Sequence, residues 1–141
     1  MFLINEPELG RFAKQTIIKM WGREYVIVNN DTYCCKILKI LPGFRSSIHA
    51  HFIKDETFVG ISGSVNLKFY SDNGDWENTI SIHSGYRVRI PTGQFHSFEA
   101  QTLSWVLEVS TTHEDSDVTR LAESVNLNAE IDKQRLPDSA S

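Results

Sequence analysis

An all-β domain, a sandwich or barrel of short strands, is the fold class this sequence predicts, and two observations carry that prediction. Short runs of β-branched and aromatic residues recur every 8–12 residues or so, with turn residues between them. No long stretch of helical apolar periodicity interrupts the series. Taken in order, Tyr25-Val26-Ile27-Val28 reads as a strand ending at the turn cluster Asn29-Asn30-Asp31. Tyr33 to Leu41 is a long strand stopped by Pro42-Gly43. Thr57 to Ser62 is bounded by Gly63. Val65 to Tyr70 alternates apolar and polar side chains and runs into Ser71-Asp72-Asn73-Gly74-Asp75, a hairpin signal. Thr79 to His83, Tyr86 to Ile90 and Leu103 to Ser110 complete the strands. A short turn of helix is expected over residues 6–15. Residues 111–125 are expected to pack on the domain as a strand or helix, and the last ten to form a frayed polar tail.

The chain of 141 residues is long enough for one domain with its own core. A mixed composition, 40% apolar and 23% charged with 8 Gly and 4 Pro, excludes collagen, long coiled coil and wholesale disorder. The apolar runs are too short to span a bilayer. The start MFLINEPELGRF lacks the basic and apolar regions of a secretory signal. With 18 acidic against 14 basic residues and no basic block, a nucleic-acid partner is not expected. Cys34 and Cys35 are adjacent, so on a strand they point to opposite faces and do not form an easy bridge. Their spacing is not that of a metal site, and a reducing cytoplasmic setting is the simplest expectation.

Histidine placement is the most informative feature. His49 and His51 are two apart, so on a strand both imidazoles project from one face. Glu56 follows five residues later, after a turn through Lys54-Asp55, and can point at the same centre. Pro91-Thr92-Gly93 is a turn signal that delivers His96 at the start of another strand. Three imidazoles and a carboxylate make a mixed nitrogen and oxygen site suited to one divalent Zn, Mn, Fe, Co or Ni ion, with positions left for water or substrate. His83 and His113 fall outside this arrangement and are expected on the surface.

The segments carrying these residues read G-x5-H-x-H-x4-E-x6-G over residues 43–63 and G-x5-P-x-G-x2-H over 85–96. They resemble the two signature motifs of the cupin superfamily at every position except a final Asn, where this chain has Ala100; that difference puts the local loop in question and leaves the ligand set intact. The resemblance implies a single-domain double-stranded β-helix, a small jelly-roll barrel, with His49, His51, Glu56 and His96 as metal ligands. It divides the chain into an N-terminal arm (1–19), a barrel (20–112) and a C-terminal extension with a polar tail (113–141). Three further segments narrow the likeness: Met20-Trp21-Gly22-Arg23-Glu24-Tyr25, the Lys-bearing strand from Cys35 to Gly43, and Leu107-Glu108-Val109-Ser110 with Asp117-Val118-Thr119-Arg120-Leu121. Together they are similar to the cupin domain of type II mannose-6-phosphate isomerases and the related D-lyxose isomerases.

Aldose–ketose isomerisation moves a proton between C1 and C2 through an enediol-like state, and needs a metal for the oxygens and a general base for the proton. Glu56, as a ligand, is a poor free base. Glu108 is the candidate base: Leu103, Trp105, Leu107 and Val109 share one face of their strand, and Ser104, Val106 and Glu108 the other. Glu108 either lines the barrel mouth or is solvated at a sheet edge. Lys36 lies where the lyxose-isomerase resemblance places an active-site lysine, and the other reading is a surface lysine. Lys54 is expected at the barrel rim. Arg87 and Arg89 share a face and could, with Arg45, meet a phosphate; a solvated outer face is the commoner reason for such a pair. Phe95 and Phe98 read as core.

The function expected is thus a metal-dependent sugar isomerase or epimerase taking a small carbohydrate. The alternatives are a non-haem iron dioxygenase of a small organic substrate and a non-catalytic metal- or ligand-binding cupin. Apolar Phe2, Leu3, Ile4, Phe12, Ile17 and Ile18 exceed what a small barrel can bury, so a homodimer is expected.

Overall fold

A computed structural model of the chain describes residues 7–128. Two antiparallel sheets face each other around one core. The first hairpin joins β1 (Gln15–Lys19) to β2 (Gly22–Asn29), and β2 pairs onward with β3 (Cys34–Ile40). Two short strands follow, β4 (Phe44–Arg45) and β5 (Ile48–Ala50), then β6 (Glu56–Ser62) and β7 (Ser64–Tyr70). A hairpin through Gly74 leads to β8 (Trp76–His83), which pairs with β7 along its length. Next come β9 (Arg87–Ile90), β10 (Phe95–Ala100) and β11 (Ser104–Ser110), then β12 (Thr119–Ala122) and β13 (Val125–Asn126). The six-stranded sheet runs β1-β2-β3-β11-β6-β9. The other runs β12-β5-β10-β4-β13, with β7 also on β10 and β8 on β7.

From β3 onward the chain passes back and forth between the two sheets, the jelly-roll connectivity. The sheets do not close into a continuous barrel. Gly63 shows how the turn residues enforce this path. It joins β6 to β7 at φ +85°, and a Cβ there would lie 2.7 Å from the Leu103 carbonyl oxygen, so the left-handed turn and the close approach of β11 both need glycine. Ala100, in place of the Asn expected there, closes β10 opposite Val65, so the strand ends without help from a side chain.

The predicted strands are present, most within a residue or two of their expected ends. The helix expected over 6–15 is not: the described part, from residue 7, is irregular until β1. The Lys14 amide bonds the Val26 carbonyl, and Thr16-Ile17-Ile18 then extends the ladder as an edge strand. Pro7 and Gly10 oppose a helix there as well. The extension after Ser110 forms β12 and β13. Phe2, Leu3, Ile4 and the polar tail lie outside the described residues. Among those that are described, Phe12 is 62% and Ile18 77% exposed, as the apolar excess implied. Among the described residues no helix is long and apolar enough to cross a membrane, and both cysteines are free.

The core is built from inward-facing positions of both sheets, including Leu38, Phe58, Leu67, Val106, Trp21 and Phe98. Trp21 meets Phe98 edge to face at 4.8 Å. Phe95 joins Ile48, Ala50 and Tyr70 in a second cluster. Above Trp21, Phe58 and Phe98 the sheets splay, leaving a cavity of about 670 Å³.

Candidate metal centre

His49 lies on β5, His51 one residue past its end, and His96 on β10 directly opposite His49 in the ladder. Ring centroids are 4.6 Å apart for His49–His96, 5.1 Å for His49–His51 and 6.1 Å for His51–His96. The three imidazoles can present nitrogens within 4.8 Å of one another. The two motifs are tied together by the Gly93 amide, which donates to the His51 carbonyl at 2.6 Å.

Hydrogen bonds at Nδ1 orient each ring. Nδ1 of His51 lies 2.7 Å from the Asp117 carbonyl oxygen, Nδ1 of His96 2.9 Å from that of Gln94, and Nδ1 of His49 3.1 Å from that of Ser47. A carbonyl only accepts, so Nδ1 of His51 and of His96 carries a proton; Nδ1 of His49 also lies 2.9 Å from the Ser47 hydroxyl, which can donate to it. Burial lowers the proton affinity of His49 and His51. His51 falls to about 4, chiefly by burial and then by the Lys54 ammonium, and burial takes His49 well below its usual value.

Glu56 opens β6 on the opposite sheet, and its Oε1 is 3.0 Å from His96 Nε2 and 4.0 Å from His51 Nε2. Glu56 Oε1 and His96 Nε2 are both buried without a hydrogen-bond partner. A buried carboxylate oxygen and imidazole nitrogen this close need a cation between them, a proton or a metal, and three imidazoles with a carboxylate are a donor set that fits a divalent metal. Burial alone would raise the Glu56 carboxyl, yet the contact with His96 and the charge of Lys54 hold it well below the carboxylate range.

Lys54 is not at the rim. Its side chain is 2% exposed, with Nζ 3.3 Å from Glu56 Oε2 and 3.2 Å from Glu108 Oε2. The turn before β6 folds inward because the Asp117 carboxylate accepts the amides of Phe52, Ile53 and Lys54 at 2.8–3.2 Å. Burial would lower the Lys54 ammonium, but the charges of Glu108 and Glu56 raise it. His113 is not a free surface residue either. It is half-buried, Nδ1 accepts from Lys54 Nζ at 3.2 Å, and Nε2 faces Asp115 at 3.0 Å. His83 is exposed on β8, as expected.

Glu108 faces inward on β11 and is 6% exposed, so the solvated-edge reading fails. Burial raises its carboxyl and the charge of Glu56 adds to the rise, with Lys54 and Lys36 opposing. Lys36 sits opposite Glu108 in the β3–β11 register, is buried, and donates from Nζ to Glu24 at 3.1 Å. Glu24, His113, Asp117 and Arg120 are the site residues missed by sequence reasoning. Arg120 lines the cavity across from His49 in the β12–β5 ladder. The three arginines considered for phosphate do not line it. Arg89 pairs with Asp55 at 3.0 Å, Arg87 is exposed, and Arg45 donates to the backbone at Ser46 and Glu123.

An antiparallel jelly roll that gathers three imidazoles at the open end of its two sheets is a cupin. More narrowly, residues 9–123 match the mannose-6-phosphate isomerase C-terminal family, and the chain belongs to it. A mannose-1-phosphate guanylyltransferase of Sinorhizobium fredii (strain NBRC 101917 / NGR234) is 27% identical over 82 residues, which is 57% of this chain and 15% of that protein. Among solved structures, oxalate decarboxylase from Bacillus subtilis superposes with a TM-score of 0.64 at 16% identity, over 76% of this chain and 30% of that one. CapF, a capsular polysaccharide assembling protein of Staphylococcus aureus, gives 0.61 at 20%, over 77% and 34%. KdgF from Halomonas sp. gives 0.61 at 13%, over 71% and 88%. At these identities the structural likeness is one of fold.

Proposed function

We propose that this chain is a metal-dependent sugar isomerase of the aldose–ketose type, with His49, His51, Glu56 and His96 as ligands to one divalent transition metal. The observation that carries this reading is the buried contact of Glu56 Oε1 with His96 Nε2, neither with a hydrogen-bond partner, beside a second buried carboxylate, Glu108. When bound, the metal would polarise the carbonyl and hydroxyl oxygens of the substrate. Glu108 breaks the C2–H bond by taking its proton and returns it to C1, while the hydroxyl proton passes from O2 to O1. Burial gives this carboxylate the raised proton affinity a carbon base needs. Lys54 orients it and offsets its charge against Glu56. Lys36 supplies a second cation at the cavity wall for a developing oxyanion. The free thiols support a reducing, cytoplasmic setting.

Metal analysis is expected to find one divalent ion per chain after reconstitution, lost in His49→Ala, His51→Ala and His96→Ala. An aldose panel in D2O followed by NMR is expected to show metal-dependent loss of a C1 or C2 proton signal. Glu108→Gln keeps the metal and slows that exchange by about 10²–10⁴-fold. A site that stays empty on reconstitution ends the enzyme reading. Oxygen uptake with a small organic acid or thiol, and no sugar exchange, replaces the isomerase with a dioxygenase.

A further inference from the structure

Among the described residues, five cationic side chains line the cavity above the three imidazoles, and four of them are already matched. Lys14 lies 3.8 Å from Glu8, and Lys19 3.8 Å from Glu24. Lys36 meets Glu24 at 3.1 Å, and Lys54 meets Glu56 and Glu108 at 3.3 and 3.2 Å. Arg120 is the fifth, and among the described residues its guanidinium meets no carboxylate and no backbone oxygen. Its place in the sheet makes that informative. Cross-strand register sets His96 of β10, His49 of β5 and Arg120 of β12 side by side in one row. Residues directly opposite in an antiparallel ladder project from the same face, with Cβ atoms about 5 Å apart. Arg120 therefore faces the cavity from beside two of the candidate metal ligands. The register shifts directly after it, where Leu121 bulges out of the ladder at 42% exposure; bulges of this kind re-aim side chains next to functional sites. Arg120 is itself exposed, so its charge incurs no desolvation cost in the free protein.

We propose that Arg120 determines the specificity of this site and selects an aldose bearing one carboxylate, a uronic acid. That the acid is a substrate rests on the isomerase reading; that Arg120 binds it does not. The planar fork of a guanidinium offers two parallel N–H donors to one carboxylate, a geometry no lysine supplies. A phosphate ester suits this cavity less well. It carries close to two negative charges, whereas Glu114, Asp115 and Glu123 line the same cavity and are exposed as Arg120 is. One unmatched guanidinium balances a carboxylate, and the acidic side chains around it repel a second charge. Phosphate sites are often completed by a helix N-terminus, but residues 7–126 contain no helix. A neutral aldose leaves the guanidinium without a counter-charge. The cavity of about 670 Å³ is of the size that holds small molecules. In a uronic acid the carboxylate lies at the far end of the chain from C1 and C2. Arg120 likewise stands on one sheet and Glu108, the candidate base, on the other.

Titration calorimetry of the metal-reconstituted full chain at about 0.15 M salt tests it. The probes are glucuronate, galacturonate and mannuronate, each beside its parent hexose and the hexose 6-phosphate. At least one hexuronate is expected to bind about tenfold or more tightly than both its hexose and its 6-phosphate. Arg120→Ala is expected to weaken that hexuronate about 10–100-fold and to abolish its preference over the hexose, with circular dichroism and metal content unchanged. Arg120→Lys keeps the charge without the fork and should recover only part of the loss. Arg87→Ala removes an exposed arginine from outside the cavity and should change nothing. If Arg120→Ala does not fold or load metal, the same ratio in Arg120→Lys decides. No hexuronate binding at about 10 mM overturns the proposal, as does tighter binding of a 6-phosphate or a preference that survives in Arg120→Ala. Proton exchange in D2O, followed by NMR, separates the two readings. Hexuronate binding that depends on Arg120 but brings no exchange upholds the carboxylate site and ends the isomerase. Exchange of neutral aldoses with no preference for a hexuronate ends the carboxylate site and leaves the isomerase standing.

Discussion

Lys54 Nζ stands between two buried carboxylates, and the electrostatics of the site turn on that placement. Glu56 and Glu108 would repel across a medium of low effective dielectric if left alone. The ammonium meets one oxygen of each, at 3.3 and 3.2 Å, and its third direction goes to His113. Removing one member of a buried ion cluster leaves uncompensated charge, which costs about 3–5 kcal/mol. Lys54→Met is therefore expected to lower the stability of the metal-free protein by that order in urea denaturation. Adding Glu108→Gln should recover much of the loss, because the neutral amide removes the repulsion; additive effects in the double variant would refute the coupling. None of this could be read from local sequence. Lys54 comes just before Glu56 in a turn rich in exposed residues, and what folds it inward is Asp117, 63 positions away. By contrast, the period-two spacing of His49 and His51 placed both rings on one face without any tertiary information.

Asp117 acts on the element rather than on the substrate. Its carboxylate caps the amides of the turn from Phe52 to Lys54, and its carbonyl holds the His51 ring. One residue thus fixes both the entry to β6 and the orientation of His51, just past the end of β5. Burial works against the charged carboxylate, but the amides of Lys54, Phe52 and Ile53 outweigh it and lower its proton affinity. Asp117→Ala leaves those amides unpaired and is expected to cost about 2–3 kcal/mol. It should also weaken metal binding about 10–100-fold, since the support of His51 slackens. Asp117→Asn retains one acceptor oxygen and should recover part of both losses in thermal melts and metal titration. At this scale most of the fold is legible, because β-branched runs and turn clusters mark strands locally. The segment 6–15 misleads because nothing in it announces a partner, and β1 exists only through its pairing with β2. Alternation along β11 shows which residues share a face but not which face is inside. The more apolar side points out, so a rule of burial by hydrophobicity alone would have turned Glu108 to solvent.

The whole molecule joins two sheets across one site. His49 and His96 come from one sheet; Glu56, Glu108 and Lys36 come from the other. A metal held by His49, His51, His96 and Glu56 would clasp the sheets together at their open end, so metal binding and folding should be linked. Protonation should oppose both. The folded His51 titrates near 4 against 6.5 for a free imidazole, so between those values the unfolded chain binds the proton and the folded chain does not. Stability from this group is complete above about pH 6.5 and is lost as pH falls toward 4, on the order of 3 kcal/mol in all. His49 acts in the same direction, and Glu56, held below the carboxylate range, adds its loss at still lower pH. Glu108, whose proton affinity is raised, works the other way and softens the slope. Urea denaturation of the metal-free protein at a series of pH values should therefore show stability falling from pH 6.5 to 4. His51→Gln should flatten that fall while Glu108→Gln steepens it. Saturating metal should move the fall to lower pH, because protons must then displace the ion from the Nε2 lone pairs before the sheets can part. A fall of equal size and position with and without metal would show that these imidazoles do not hold it.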